Sequence, residues 1–222
     1  MRRLDRPRHA GSVRRVTSDR RLLGVALALT SAASFGVMPV LTKVVYDDGA
    51  DPVGVLAVRF ALAAVVLQVL ARARREPRPP GRTLALLVGL GGIGYVGQAL
   101  CYFYALERIS AGLTALLLYV YPALVVVLGA VVLRDRPRPL AVGCVAVATL
   151  GTALTIGPVA GGQVSGVLLG LAAALVYAVY ILVSSRVSGV GPFATSAWVL
   201  TASAVVMGVL AAAMGPRLPS SG

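Results

Sequence analysis

Long apolar stretches separated by short polar breaks dominate the chain. Seven of these stretches are near the roughly 20 residues that a helix needs to cross about 30 Å of hydrocarbon. They cover residues 22–46, 53–71, 83–106, 112–133, 140–156, 166–183 and 193–214. Strands of a membrane barrel would be about 10 residues long with alternating polarity, which these stretches lack. The pattern predicts an all-α fold: a polytopic membrane helix bundle with seven transmembrane helices.

Composition supports a membrane protein and excludes two other classes. Hydrophobic residues make up 58% of the 222 residues, and charged residues make up 13%. That charged share is about half of what is typical of soluble domains, too little to cover the surface of one this long. Disordered proteins are poor in apolar residues, so disorder is excluded beyond the ends of the chain.

The net charge of +13 lies almost entirely on one side of the predicted bundle. If the spans alternate in direction, 17 of the 20 Arg fall on the N-terminal side, within residues 1–21, 72–82, 134–138 and at 186. Because cytoplasmic loops carry an excess of Arg and Lys, the N-terminus is predicted to be cytoplasmic. Attraction to anionic lipid explains clusters that adjoin spans, so we expect the lipid bilayer, and no nucleic acid, as partner.

Two expectations concern the N-terminus and the location. Residues 1–21 are predicted to form a disordered basic cytoplasmic tail. Arg20 and Arg21 precede an apolar stretch as in a signal peptide, but the stretch continues to residue 46 and six spans follow, so we expect a retained signal anchor. The excess of Arg over the single Lys is typical of a GC-rich bacterial genome, which places a multi-pass protein in the cell (cytoplasmic) membrane.

The first and sixth spans resemble each other. When the chain is shifted by 142 residues, small residues at every fourth position coincide, and such ridges let helices approach closely in lipid. The predicted helix-packing ridges are Gly24, Ala28, Ala32 and Gly36, and Gly166, Gly170, Ala174 and Ala178. Five spans separate the two starting points, so the copies would run in opposite directions. Inverted repeats of this kind are common in transporters, with a site near the membrane midplane.

Several short sequences together resemble the EamA type of the drug/metabolite transporter superfamily. They are Ala33-Ser-Phe-Gly36 with Pro39 and Lys43, Pro52 and Arg59, residues 102–112, Tyr121-Pro-Ala-Leu124, and residues 166–180. The resemblance implies a carrier of ten helices in two inverted five-helix repeats. Residues 22–157 would form the first five-helix EamA-like repeat, and residues 164–222 would form an incomplete second one. This chain would then hold one five-helix repeat plus two helices of an inverted second repeat.

The function predicted from these features is secondary transport. We expect an integral membrane transporter that exports or exchanges a small metabolite or drug by alternating access. Relative to the family pattern about 77 residues, three helices, are missing after the second repeat begins. The alternative is therefore a non-transporting truncated fragment or a partner subunit of such a carrier, and pairing into a homodimer would be one way to complete the fold.

Two cations within spans are candidate substrate-binding residues. Lys43 lies near the outer end of the first span, where it could contact an anion or reach the outer surface beside Asp47 or Asp48. Arg59 lies about 10 Å into the second span, too deep to reach the surface easily. Charged residues inside spans are functional candidates by default, and structural pairing of Arg59 with carbonyls or an acidic loop residue is the alternative.

Polar residues at helical spacing complete the candidate substrate site. Tyr95, Gln98 and Tyr102 share one face of the third span, Tyr121 lies in the fourth before Pro122, and Tyr177 and Tyr180 lie in the sixth. They could line a cavity or form interhelical hydrogen bonds worth about 0.6 kcal/mol each.

Other chemistry lacks the residues that it needs. No Asp or Glu lies within a span core, so a coupling ion cannot be assigned. The only Lys lies in the first span, which excludes a retinal-type receptor with its Lys in the seventh. The sequence has no serine-hydrolase elbow, His pair or Asp-rich motif. We therefore expect no enzyme activity, no metal and no cofactor.

Overall fold

The computed structural model describes residues 10–132, 134, 139–156 and 164–215. In these residues the regular secondary structure is entirely helical. The elements are α1 (Ala10–Asp47), α2 (Pro52–Ala73), α3 (Gly81–Gly89), a π-helical segment (Leu90–Tyr95), α4 (Val96–Arg108), α5 (Ala111–Leu118), α6 (Tyr121–Val132), α7 (Pro139–Ile156), α8 (Val164–Ser184) and α9 (Pro192–Met214).

Residues Met1–Thr42 and Lys43–Gly222 form two compact units. The first unit holds most of α1, which begins at Ala10. The helix therefore starts inside the segment predicted to be a disordered tail, and residues 1–9 lie outside the described part of the chain. The second unit is a bundle that contains all the remaining helices.

Six helical stretches are long and apolar enough to cross a membrane. They are Gly24–Asp47, Pro52–Ala73, Gly81–Arg108, Ala111–Val132, Val164–Ser184 and Pro192–Met214, and they coincide with six of the seven predicted spans. The fifth predicted span, 140–156, coincides with α7, whose described apolar stretch is only Val142–Gly151. A polytopic helical bundle is thus the observed architecture, and the seventh membrane crossing stays a prediction.

Local sequence signals explain where the helices of the second unit begin and end. The Asp51 carboxylate caps α2 by accepting a hydrogen bond from the Gly54 amide at 2.7 Å, with Pro52 in the first turn. The Ser110 hydroxyl accepts from the Leu113 amide at 3.2 Å and begins α5. Gly215 ends α9 in the left-handed conformation, at φ 65°.

Helices α2 and α9 pack against each other in antiparallel directions. Near one end of the bundle, Asp51 at the start of α2 and Gly215 at the end of α9 line the same cavity of about 230 Å³. Near the other end, Glu76 just after α2 accepts a hydrogen bond from the Ala194 amide of α9 at 2.6 Å. Gln68 donates to the Thr201 hydroxyl at 3.0 Å between these points. We call the two ends of the bundle the Asp51 end and the Glu76 end.

Helix α8 crosses the bundle from the Asp51 end toward the Glu76 end. Gly166, near its start, lies so close to Arg108 and Ile109 at the end of α4 that a Cβ atom would come within 2.7 Å of the Ile109 side chain. Gly170 similarly faces Leu117 of α5. Because α8 begins where α4 ends, these two helices are antiparallel. Their faces carry aromatic residues of the candidate functional site.

Candidate functional site

Five aromatic rings from four helical segments form a continuous series inside the second unit. The centroid distances are 5.4 Å for Phe60–Tyr95, 5.8 Å for Tyr95–Tyr180, 6.1 Å for the stacked pair Tyr180–Tyr177, and 4.8 Å for the edge-on pair Tyr177–Tyr121. All lie in the range in which aromatic pairs attract one another. We call Phe60, Tyr95, Tyr180, Tyr177 and Tyr121 the aromatic arc.

The backbone positions of the arc follow from helical spacing and from one glycine. Tyr177 and Tyr180 are three residues apart on α8 and therefore share a face. A Cβ atom at Gly94 would lie 3.3 Å from the Tyr180 ring, so the glycine lets α8 approach the π-helical segment closely. Tyr180 also lines an apolar groove of about 700 Å³ between this segment and α8, within the usual size range of small-molecule sites.

A second cluster surrounds Arg59 of α2. Its guanidinium carbon lies 5.6 Å from the ring centroid of Phe103 on α4. The Phe103 ring in turn lies 5.9 Å from the ring of Tyr102. Arg59 is half-buried. Among the described residues the ion pair is Arg108–Glu107 at 3.4 Å, so Arg59 forms no ion pair within that part of the chain.

The Tyr102 hydroxyl is an exception to the rule that buried polar atoms are paired. Tyr102 is 2% exposed, and its hydroxyl has no hydrogen-bond partner among the described residues. Most buried polar groups do have a partner, so an orphaned one calls for an explanation. Arg59 and the Tyr119 hydroxyl both lie close enough to influence it electrostatically.

The arc and the Arg59 cluster both draw residues from α2 and from the third span. Phe60 and Arg59 are neighbours on α2. The predicted face of the third span carries Tyr95 into the arc and Tyr102 into the Arg59 cluster, with buried Gln98 between them. Of the eight predicted substrate-binding residues, the structure thus places four in the arc and two in the Arg59 cluster, with Gln98 on the helix face that links them.

Lys43 is the remaining one. It lies half-buried near the C-terminal end of α1. No described ion pair joins it to Asp47 or Asp48, and no described hydrogen bond joins it to the arc. Its role as an anion contact stays a prediction.

Comparison with known proteins identifies the family. A family model described as the EamA-like transporter family matches residues 22–157, well over half of the chain. The chain belongs to the EamA-like transporter family. It is thus an EamA-type member of the drug/metabolite transporter superfamily, as the short sequences in its spans indicated.

A curated relative and a solved structure are both similar to this EamA-type chain. The relative is the aromatic amino acid exporter YddG of Ancylobacter novellus, 31% identical over 173 residues, which are 74% of this chain and 55% of the relative. The chain therefore spans about half the length of the relative. A crystal structure of a protein 24% identical in sequence matches with a TM-score of 0.60 over 87% of this chain and 70% of that one. That structural likeness concerns the fold.

The two small-residue ridges of this EamA-type chain differ in their surroundings. On α8, Gly166, Gly170, Ala174 and Ala178 are all buried, and the glycines face Ile109 and Leu117. On α1, Gly24, Ala28, Ala32 and Gly36 are all exposed. Small side chains on α8 thus permit close contact with α4 and α5.

Several residues of the site carry no polar signal in the sequence. Phe60 and Phe103 are apolar residues in apolar spans, and only the structure shows that they connect the polar ones. The π-helical segment was also missed, although the run Gly89-Leu-Gly-Gly-Ile-Gly94 marks it as unusual for a helix interior. Glu76, which accepts a hydrogen bond from the start of α9 across the bundle, lies in a loop whose main sequence signal is its arginines.

Proposed function

We propose that the chain is an integral membrane secondary transporter that exports or exchanges small metabolites bearing an aromatic ring. The observation that carries this proposal is the aromatic arc, contributed by four helical segments of a membrane bundle. Membership of the EamA-like transporter family supports transport. The relative named an aromatic amino acid exporter supports the class of substrate.

The geometry of the arc is suited to an additional aromatic ring. Phe60 is buried, and the four tyrosines of the arc are half-buried, so the faces and edges of the tyrosine rings are partly accessible. Each favourable aromatic pair contributes about 0.5–1.5 kcal/mol beyond simple burial. A substrate ring that contacts two arc residues would therefore be favoured over an aliphatic one of similar size.

Alternating access between two inverted repeats is the proposed mechanism. Helices α8 and α9 would be the copies of α1 and α2, and the antiparallel packing of α2 with α9 is what inversion requires. With a shift of 140 residues, eight of the twenty positions from 52 to 71 are identical in α9, including Pro52 with Pro192 at both helix starts. The halves would rock around a site near the midplane, with α7 as a seventh crossing.

The proposed location and membrane orientation follow from the distribution of arginines along the chain. The N-terminus and the loop between α2 and α3 would face the cytoplasm, and the protein would reside in the cell membrane. In that orientation the Asp51 end of the bundle faces outward and the Glu76 end inward.

A second candidate is a partner subunit or fragment that does not transport alone. The observation that favours it is the 55% coverage of the relative. Assembly of two copies would be one way for such a chain to form a complete carrier.

Transport by the purified chain in liposomes tests the proposal. Vesicles preloaded with radiolabelled phenylalanine should lose the label faster than protein-free vesicles, and faster than vesicles loaded with labelled alanine. An Arg108→Gln variant is the control, because Arg108 is exposed and lies outside both clusters. Equal loss with and without protein, at every protein-to-lipid ratio that permits dimers, contradicts the proposal and favours the non-transporting alternative.

A further inference from the structure

We infer that Arg59 and the Tyr102 hydroxyl together bind the carboxylate group of the substrate. This inference rests on the proposed transport function and specifies which part of the substrate each cluster contacts. The aromatic arc would hold the ring, and the Arg59 cluster would hold the anionic end. Both clusters draw residues from α2 and from the third span, in which Tyr95 and Tyr102 share a helix face.

The state of Arg59 indicates a binding role. It is the eighth residue of α2, which places its Cα about 10 Å from the start of the helix. Cations inside membrane spans are normally paired with acidic groups or backbone carbonyls. In the described residues Arg59 has no ion pair and no hydrogen bond, and its described contact is with the Phe103 ring. A guanidinium in contact with a ring face keeps its N–H groups at the edge, where an anion can accept from them.

The orphaned Tyr102 hydroxyl supplies the second observation. A hydroxyl that is buried without a partner loses its hydrogen bonds to water and gains none in return. An anionic oxygen between Arg59 and Tyr102 would accept hydrogen bonds from both. The Tyr102 ring contacts Phe103, and Phe103 contacts Arg59, so both donors border the same phenylalanine ring.

The charge and shape of the surroundings favour a carboxylate over an amine. Arg59 lines a groove of about 660 Å³ whose other lining residues are all apolar, among them Val55, Val58 and Leu62. No Asp or Glu lines this groove, so a cationic group would meet only the positive charge of Arg59. The planar fork of a guanidinium matches the two oxygens of a carboxylate, and low polarity strengthens the pairing.

Binding of two matched ligands to the full chain in nanodiscs tests the inference. Phenylalanine and phenylalaninamide share the ring and differ in the carboxylate. Trp198 is the only tryptophan of the chain and packs against the same apolar cluster as Tyr95 and Tyr180, so its fluorescence should report binding. We expect the wild type to bind phenylalanine at least about 10-fold more tightly, since hydrogen bonds to charged groups are worth about 10- to 150-fold in affinity.

Four variants separate a carboxylate site from a structural role. Arg59→Gln should weaken phenylalanine binding by about 10-fold or more and leave phenylalaninamide binding unchanged, which also shows that the variant is folded. Tyr102→Phe should act in the same direction with a smaller effect. Arg108→Gln and Tyr104→Phe should change neither ligand. Arg108 is the matched control because its guanidinium also lies 5.6 Å from a ring, that of Tyr104, but at the exposed end of α4.

The outcomes distinguish this inference from the function on which it rests. Equal affinity of the wild type for both ligands, or equal losses for both ligands in Arg59→Gln, overturns the carboxylate site while ring binding and transport stand. Failure of the wild type to bind either ligand overturns the carboxylate site and the proposed function together. If Arg59→Gln does not fold, Arg59→Lys replaces it, and a phenylalanine affinity unchanged in both Arg59→Lys and Tyr102→Phe overturns the site.

Discussion

Tyr177 is the arc residue whose contacts are most directly testable. Its ring meets Tyr121 edge-on at 4.8 Å and stacks on Tyr180 at 6.1 Å. Both contacts depend on the ring and neither depends on the hydroxyl. The arc therefore makes a specific prediction about which substitutions at this position are tolerated.

Replacing Tyr177 by Leu should weaken phenylalanine binding, whereas replacing it by Phe should not. Loss of a ring from the arc removes about 0.5–1.5 kcal/mol of ring contact, so an affinity roughly 2- to 12-fold lower is expected for Tyr177→Leu. Fluorescence titration of Trp198 measures this. Tyr104→Leu, outside the arc, is the control, and an equal loss in Tyr177→Phe would show that the hydroxyl, not the ring, matters.

The sequence marks the polar members of the candidate site but not the apolar ones, for a physical reason. Tyr95, Tyr102, Tyr177 and Tyr180 stand out because a polar group in an apolar span needs a partner. Phe60 and Phe103 are as apolar as their neighbours, so no contrast marks them. Lys43 was selected by the same argument as Arg59, yet it makes no described contact with either cluster.

At the scale of elements, the π-helical segment is the feature with the tightest packing. A Cβ atom at Gly91 would overlap the backbone carbonyl oxygen of Val199 on α9. The Ser203 hydroxyl lies 2.9 Å from the Gly91 carbonyl oxygen and 3.0 Å from that of Val199. The π-helical segment thus directs the Gly91 carbonyl toward α9. Backbone groups that lose their helical hydrogen bonds within the membrane are tolerated where protein covers them.

Gly91→Ala should destabilise the bundle, while Gly89→Ala should not. The overlap at Gly91 involves backbone atoms that cannot rotate away, so a cost of about 1–3 kcal/mol is expected, as for other overpacked sites. Gly89 has nothing within 4 Å of a built Cβ and gains helix propensity with Ala. Thermal unfolding of the two variants in the same detergent compares them. A Gly91→Ala melting temperature equal to that of Gly89→Ala would contradict the close contact with α9.

The helices can be predicted from the sequence where hydropathy and turn-forming residues determine their boundaries. Six predicted spans agree with the observed helices because Asp51-Pro52, Ser110 and the arginine-rich loop are strong signals for helix boundaries. The fourth span is interrupted at Tyr119 and Val120, just before Pro122, whose nitrogen carries no hydrogen to donate to a preceding carbonyl. The π-helical segment depends on contact with α9, a tertiary interaction that no local pattern encodes.

At the scale of the whole molecule, the arginine distribution predicts the orientation in the membrane. In a background with Cys101 and Cys144 replaced by Ala, Asp48→Cys and Arg78→Cys each introduce one exposed thiol in opposite loops. A membrane-impermeant thiol reagent applied to intact cells should label Asp48→Cys only, because loops rich in Arg stay cytoplasmic.

After lysis the reagent should label both variants, which shows that each thiol is reactive. Labelling of Arg78→Cys alone in intact cells would mean that the N-terminus is outside. Labelling of both in intact cells would mean that the two loops lie on the same side, contrary to a single membrane crossing by α2.

The antiparallel pair α2 and α9 has a consequence for biosynthesis. Gln68 and Thr201 bond to each other across 133 residues of chain, which a ribosome adds in about 7–27 s at about 5–20 residues per second. Throughout that interval α2 has been inserted with its amide unpaired and with Phe60 uncovered by the later helices. Pairing of the Gln68 amide therefore waits for the synthesis of α9, and the nascent chain carries an unpaired amide in the membrane until that helix is inserted.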